Sequence, residues 1–204
     1  MSELTILERR FPGRKAGLKR EILEQALACF NETGIESTTI DSIRVSCQAS
    51  VGAIYHHFGN KEGILGALFF AVLDDQHEFF EQYLARANTL KDFVSAIVMS
   101  YVDWVVQNPE WAKFQFQARG FIAKGPLRQE LSNRNTKQLK GLKAKLQTVD
   151  SCGIKISLPF ELIPSLVIGA TENYCRAWLS GRVPTCPSVY REQLSAAAWR
   201  SIQN

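Results

Sequence analysis

Residues 50–65 read SVGAIYHHFGNKEGIL. Ser50 offers a hydroxyl to start a helix, Gly59 a stop and Asn60 a second start, so a helix of barely two turns gives way to another. A tyrosine, two histidines and a lysine stand around that break. Such a set suits a metal site, a catalytic pair or a surface made to lie against a partner. His56 and His57 are adjacent and point about 100° apart on a helix, which is awkward for one zinc ion. HExxH, GxSxG and GxGxxG patterns are missing, and His77 stands apart beside Asp74, Asp75 and Glu78. No metal, cofactor or catalytic site is expected. His56 reads as a surface donor, and His57 as packed against the neighbouring helix.

Upstream, Ile22, Ala26, Leu27 and Phe30 repeat at helical spacing until Gly34. STTIDSIRVSC, residues 37–47, then forms a second short helix, with Thr38 as the expected cap and Asp41 answering it. The three short helices are expected to share a core of Ile22, Ala26, Phe30, Ile40, Ile43, Ala53, Ile54 and Phe58. About four residues separate the second from the third, the spacing of a helix-turn-helix whose second helix enters the major groove. Three features strengthen that reading. Six basic residues and no acid lie between Arg9 and Arg20, Arg14 among them. Thr39 and Ser50 place hydroxyls at helix starts, where free N–H groups favour phosphate. Lys61 occupies the first turn of the next helix, where the dipole disfavours a cation and a nearby phosphate would explain it.

Downstream, strand signals are almost absent. A fourth helix runs from Asn60 to about Tyr83, followed by helices expected over Leu90–Gln107, Glu110–Ile122, Pro126–Thr148, Phe160–Leu179 and Ser188–Ile202. Asn108-Pro109, Gly125-Pro126 and residues 181–187 break them. The fold class is all-α: a three-helix helix-turn-helix DNA-binding domain with a basic arm over residues 1–66, then a larger helical ligand-binding and dimerisation domain over 67–204. Tyr101, Trp104, Tyr174 and Trp178, with Gln115 and Arg119 as polar anchors, are the candidate lining of a small-molecule pocket. Gly169, Ala170, Ala197 and Ala198 allow close helix approach, so the last two helices are the expected homodimer interface.

With 46% apolar and 22% charged residues in 204, global disorder is excluded. A net charge of +4 says little about a polyanionic partner, and nine basic residues against Glu130 between Lys113 and Lys145 read as a solvated helix face. The five cysteines, Cys29, Cys47, Cys152, Cys175 and Cys186, show no CxxC spacing. No apolar run has membrane-spanning length and SELTILERR lacks the order of a signal peptide, so a cytoplasmic protein without membrane contact is expected.

The run LKREILEQALACFNETGIESTTIDSIRVSCQASVGAIYHHFGNKEGIL, residues 18–65, resembles the N-terminal DNA-binding domain of the TetR family of transcriptional regulators. The likeness is carried by Ile22-Leu23, Phe30, Gly34, Thr38-Thr39, Ile43, Ser50, Gly52, Tyr55, His57-Phe58 and Lys61-Glu62, and covers about residues 17–68. It implies a homodimer on palindromic double-stranded DNA, with binding altered when a small molecule enters the second domain. It further implies that Thr39 and Lys61 touch phosphate, that Tyr55 and His56 face the duplex, and that Ser50, Val51 and Ala53 form the front of the recognition helix. Family members usually carry alanine at the position of Arg44 and alanine-glycine at Cys47-Gln48. Arg44 must therefore reach the surface or a phosphate, and Gln48 must accept a mildly strained backbone. Since Val51 and Ala53 offer only apolar contacts, base reading leans on Gln48, Arg44 or DNA shape. The function expected is a DNA-binding regulator, a repressor released by an effector and not an enzyme. The alternatives are a helical small-molecule binder or enzyme that has lost specific DNA binding, and a non-specific nucleic-acid binder.

Overall fold

The computed structural model describes residues 4–149 and 158–203; Cys152 lies outside them. Among the described residues every regular element is helical: α1 (Ile6–Arg10), α2 (Gly17–Thr33), α3 (Ile40–Cys47), α4 (Val51–Phe58), α5 (Lys61–Leu84), α6 (Leu90–Gln107), α7 (Pro109–Lys124), α8 (Arg128–Leu146), α9 (Ile163–Leu179) and α10 (Arg191–Ile202), with short 3-10 turns at Arg14–Ala16 and Pro187–Tyr190. The all-α expectation and the three-helix head hold. The last helix starts later than the sequence suggests, because Pro187 opens a separate turn before it. No described helix is long and apolar enough to cross a membrane.

The helix starts are written locally. Thr5, Thr39 and Thr89 each accept a backbone N–H from the third residue of their helix, and that residue's side chain answers in turn. The cap of α3 is thus Thr39 and not Thr38. Thr38 is buried, and its hydroxyl donates to the Gly34 carbonyl at 2.8 Å instead. Ser50 caps α4 by accepting from the Ala53 N–H at 3.1 Å. Gly59 follows α4 at φ +73°, a conformation that glycine adopts without steric penalty. Gly63 is required for another reason: a Cβ there would lie 1.9 Å from the Phe58 carbonyl oxygen, so the α4–α5 corner closes only around a glycine.

Close packing divides the chain into two units, residues 1–75 with 110–131, and 76–109 with 132–204. This is not a single cut after residue 66. In the first unit, Ile22, Leu23, Ala26, Leu27 and Phe30 of α2 are buried with Ile43, Ile54, Ile64, Leu68 and Phe69. Ile40, Ala53 and Phe58, expected in this core, are only half-buried. From α7, Phe114 stacks on Phe30 with ring centroids 5.8 Å apart.

In the second unit, α6 packs on α9 and α10. Val94, Val98, Val167, Ala198 and Ile202 form its centre, and Ser195 donates to Ser95 at 2.9 Å across the α6–α10 contact. Asp103 of α6 gathers two donors on one oxygen, the Tyr83 hydroxyl at 2.7 Å and Arg191 Nη1 at 2.5 Å. Burial, reinforced by the hydrogen bond to Asp103, pushes the Tyr83 phenol up to about 12. The fold therefore holds this proton more tightly than the unfolded chain, whose tyrosines titrate near 10. The resulting stabilisation is complete below about pH 10 and is lost as pH rises towards about 12. An ultraviolet phenolate titration should show a late-ionising phenol that disappears in Tyr83→Phe. If the two titrations superimpose, the Tyr83–Asp103 bond does not hold the proton.

Candidate nucleic-acid interface

The face of α4 follows from its periodicity. Val51 and Tyr55 lie one turn apart, as do Gly52 and His56, and all four are exposed, while Ile54 on the far side is fully buried. Ala53, His57 and Phe58 are half-buried on the flanks. Tyr55 is 51% exposed, an unusual state for a tyrosine on a helix that is anchored from behind. Val45, on α3, is 62% exposed and drew no notice in the sequence. Its signal was available, because Val45 falls off the apolar stripe set by Ile43 and Cys47. Ser50 is exposed at the α4 start.

Gln48, in the turn between the two helices, sits at φ +53°, the left-handed region expected where glycine is usual. Its side chain is exposed. Arg44 extends along α3 and donates from Nε to Asp41 at 2.8 Å. Its side chain is 37% exposed. Thr39 is exposed, with its hydroxyl engaged in the capping box.

The basic stretch is only partly free. Arg9 and Arg10 pair with Asp75 of α5, at 2.7 and 3.6 Å. Arg20 Nη1 donates to the carbonyls of Phe11 and Gly13, and the Lys19 ammonium lies 4.6 Å from the Phe11 ring centre. Arg14 and Lys15 remain exposed. Lys61 is engaged as well, its Nζ donating to the carbonyls of Ile35, Glu36 and Thr38 at 2.9, 3.2 and 2.9 Å.

The six candidate ligand-binding residues are divided between the two units. Gln115 and Arg119 belong to the first unit, and Tyr101, Trp104, Tyr174 and Trp178 to the second. Trp104 is fully buried core, Gln115 is buried, Arg119 is exposed, and Tyr101 and Trp178 are half-buried. The Tyr174 hydroxyl donates to the Thr185 carbonyl at 3.1 Å. None of the six lines a cavity of about 360 Å³ among Ile35, Leu65, Phe121 and Leu127, or an open groove of about 420 Å³ along Pro164, Ile168, Gly169 and Arg176. No group of three or more His, Cys, Asp or Glu side chains placed for a metal occurs among the described residues.

A model of the bacterial regulatory proteins of the tetR family matches residues 22–68, from the core of α2 to the early turns of α5. Residues 22–68 are thus similar to the TetR-family helix-turn-helix domain. Over 50 residues, 24% of this chain and 27% of the relative, the TetR-type domain is 46% identical to the HTH-type transcriptional repressor AcnR of Corynebacterium glutamicum. The chain spans about a quarter to a half of the length of the curated relatives it matches. Likeness of fold reaches further than identity of sequence. A TetR family transcription regulator from Marinobacter aquaeolei VT8 superposes with a TM-score of 0.77 at 17% identity, covering 94% of this chain and 98% of its own. The ketosteroid transcriptional regulator KstR2 of Mycobacterium tuberculosis gives 0.71 at 20% identity, over 95% and 99%. The all-helical fold of these two structures is therefore shared over nearly the whole chain.

Proposed function

We propose that the protein is a sequence-specific DNA-binding transcriptional repressor that works in the cytoplasm as a homodimer and is released by a small-molecule effector. The observation that carries this reading is the exposed face of α4, where Val51, Gly52, Tyr55 and His56 stand outward from a helix whose opposite side is fixed by Ile54. Arg14 and Thr39 supply phosphate contacts, and Ser50 presents a hydroxyl beside the free N–H groups of the α4 start. Gln48 and Arg44 are the long polar side chains nearest the base edges, while Val51 and Ala53 meet thymine methyl groups. Dimerisation uses α9 and α10, and the groove along α9 around Gly169 is shaped for close approach by a second copy. Effector binding falls to the helical part after the head, with Tyr101, Trp104, Tyr174 and Trp178 as candidate lining and Gln115 and Arg119 as candidate polar anchors. Several of the relatives that this chain matches are HTH-type transcriptional repressors, which supports this reading.

Gly52 offers the sharpest test. A glycine inside a helix weakens it by about 1 kcal/mol relative to alanine. Packing among the described residues does not require it, because a Cβ at Gly52 would meet no atom within 4 Å. Close approach of a DNA backbone supplies the missing reason. Gly52→Ala should therefore raise the melting temperature slightly and weaken binding to the protein's own upstream DNA at least tenfold. Preference for that DNA over a shuffled duplex of equal length tests the function itself. Equal affinity for both duplexes, or a Gly52→Ala protein that binds as well as the parent, would remove the α4 face from the interface.

A further inference from the structure

We propose that the hollow beside the start of α5 is a binding site for an amphiphilic organic cation, an apolar body that carries a protonated or quaternary amine. The cavity of about 360 Å³ is lined by residues of the first unit alone, from the turn after α2, the first turns of α5, and the end of α7 with the residues that follow it. Small-molecule pockets run from about 300 to 1,000 Å³, so this one suits a compact ligand. Ile35, Leu65 and Ile122 are buried and give it apolar walls. Leu127 adds to the lining and lies close over Gly66, where a Cβ would come within 2.3 Å of its Cδ1 atom. Phe121 lines the same hollow and is 39% exposed, so a large apolar ring stays open to whatever enters.

Charge selects the sign of the occupant. Two acids, Glu36 and Glu62, line the hollow, and both are exposed. Among the described residues neither carboxylate is paired with a cationic side chain. Lys61 also lines the hollow, but its Nζ donates to the carbonyls of Ile35, Glu36 and Thr38 and not to either carboxylate. A phosphate that drew Lys61 away on DNA would leave the two acids further from a counter-charge. Low-dielectric walls focus the field of such charges on what lies between them. The face of the Phe121 ring attracts a cation as well. A neutral molecule of the same shape meets the same walls and gains neither attraction. This site stands apart from the function proposed above, since none of its lining belongs to the candidate effector pocket.

The experiment uses the whole protein without DNA and three probes of one shape: phenylbutylammonium, phenylbutanol and phenylbutyrate. Methyl NMR spectra show where each probe binds, and titration to its solubility limit shows how tightly. Phenylbutylammonium is expected to shift the methyl signals of Ile35, Leu65, Ile122 and Leu127, and to bind about tenfold more tightly than either other probe. Glu36→Gln combined with Glu62→Gln should abolish that preference while phenylbutanol binds as before; both positions are exposed, so the fold is not at stake. Phe121→Leu keeps an apolar wall without the ring, and should weaken the ammonium probe about threefold more than the alcohol. The proposal is overturned if phenylbutylammonium leaves these methyl signals unmoved, if it binds no better than phenylbutanol, or if the double variant keeps the preference. Tighter binding of phenylbutyrate would give the site to Lys61 and an anion, and would overturn it equally.

Discussion

Phe114→Ala is expected to lower the free energy of unfolding by about 3–5 kcal/mol, the range found for emptying a buried phenylalanine site. Phe114 is fully buried, and so is Phe30, on which its ring stacks at 5.8 Å and 25° between planes. Truncation would remove the stacking partner of a residue in the helix-turn-helix head and leave a void that α2 cannot fill by itself. The loss should exceed that of Phe114→Leu, which keeps most of the volume. Denaturant unfolding of the three proteins measures it. A Phe114→Ala protein within about 1 kcal/mol of the parent would mean that the site collapses freely, and that α7 contributes little to the head.

Asp75→Ala should have an effect near the lower end of the same range, about 3 kcal/mol, because removing one member of a buried ion pair strands its partners. The Asp75 side chain is 6% exposed and receives Arg9 through Nε at 2.9 Å and Nη2 at 2.7 Å, with Arg10 Nη2 at 3.6 Å. Arg9 is 35% exposed, so water screens part of its share and holds the figure down. The visible consequence should be release of α1. Ile6 and Leu7 are buried only while that helix stays seated, so protease cleavage within residues 4–13 is expected to quicken in Asp75→Ala. Asp75→Asn, which keeps an acceptor but no charge, should fall between. Unchanged stability with α1 still protected would show that Ile6 and Leu7, and not the ion pair, hold the helix.

The long helices and the head were legible because their apolar residues keep a helical period and their caps are local in sequence. Ser50 could be read as a cap since its bond to Ala53 spans three residues. Two consecutive threonines made the α3 start ambiguous. Burial of Thr38, a tertiary fact, left the capping role to Thr39. α1 was not legible, having five residues, two apolar anchors and a partner carboxylate in α5. The basic stretch showed its charge but not that Asp75 and two carbonyls absorb part of it. The acceptors of Lys61 were not legible, because they are backbone carbonyls that any residues could supply. The exposed α4 face was readable from its period. Burial of single aromatics was harder to read, since one that lines a cavity and one that fills a core, such as Trp104, look alike in sequence.

The division into units carries a lesson for anyone wishing to graft this head onto another regulator. Its boundaries fall at 75/76 inside α5 and at 131/132 inside α8, and the first unit takes residues 110–131 from later in the chain. A crossover after α4, or even after residue 75, would carry away Phe30 and leave Phe114 behind. A head moved as one continuous N-terminal segment is therefore expected to lose the Phe30–Phe114 stack and some stability with it. A working chimera must transplant two segments together, or retune the recipient's seventh helix to the incoming second one.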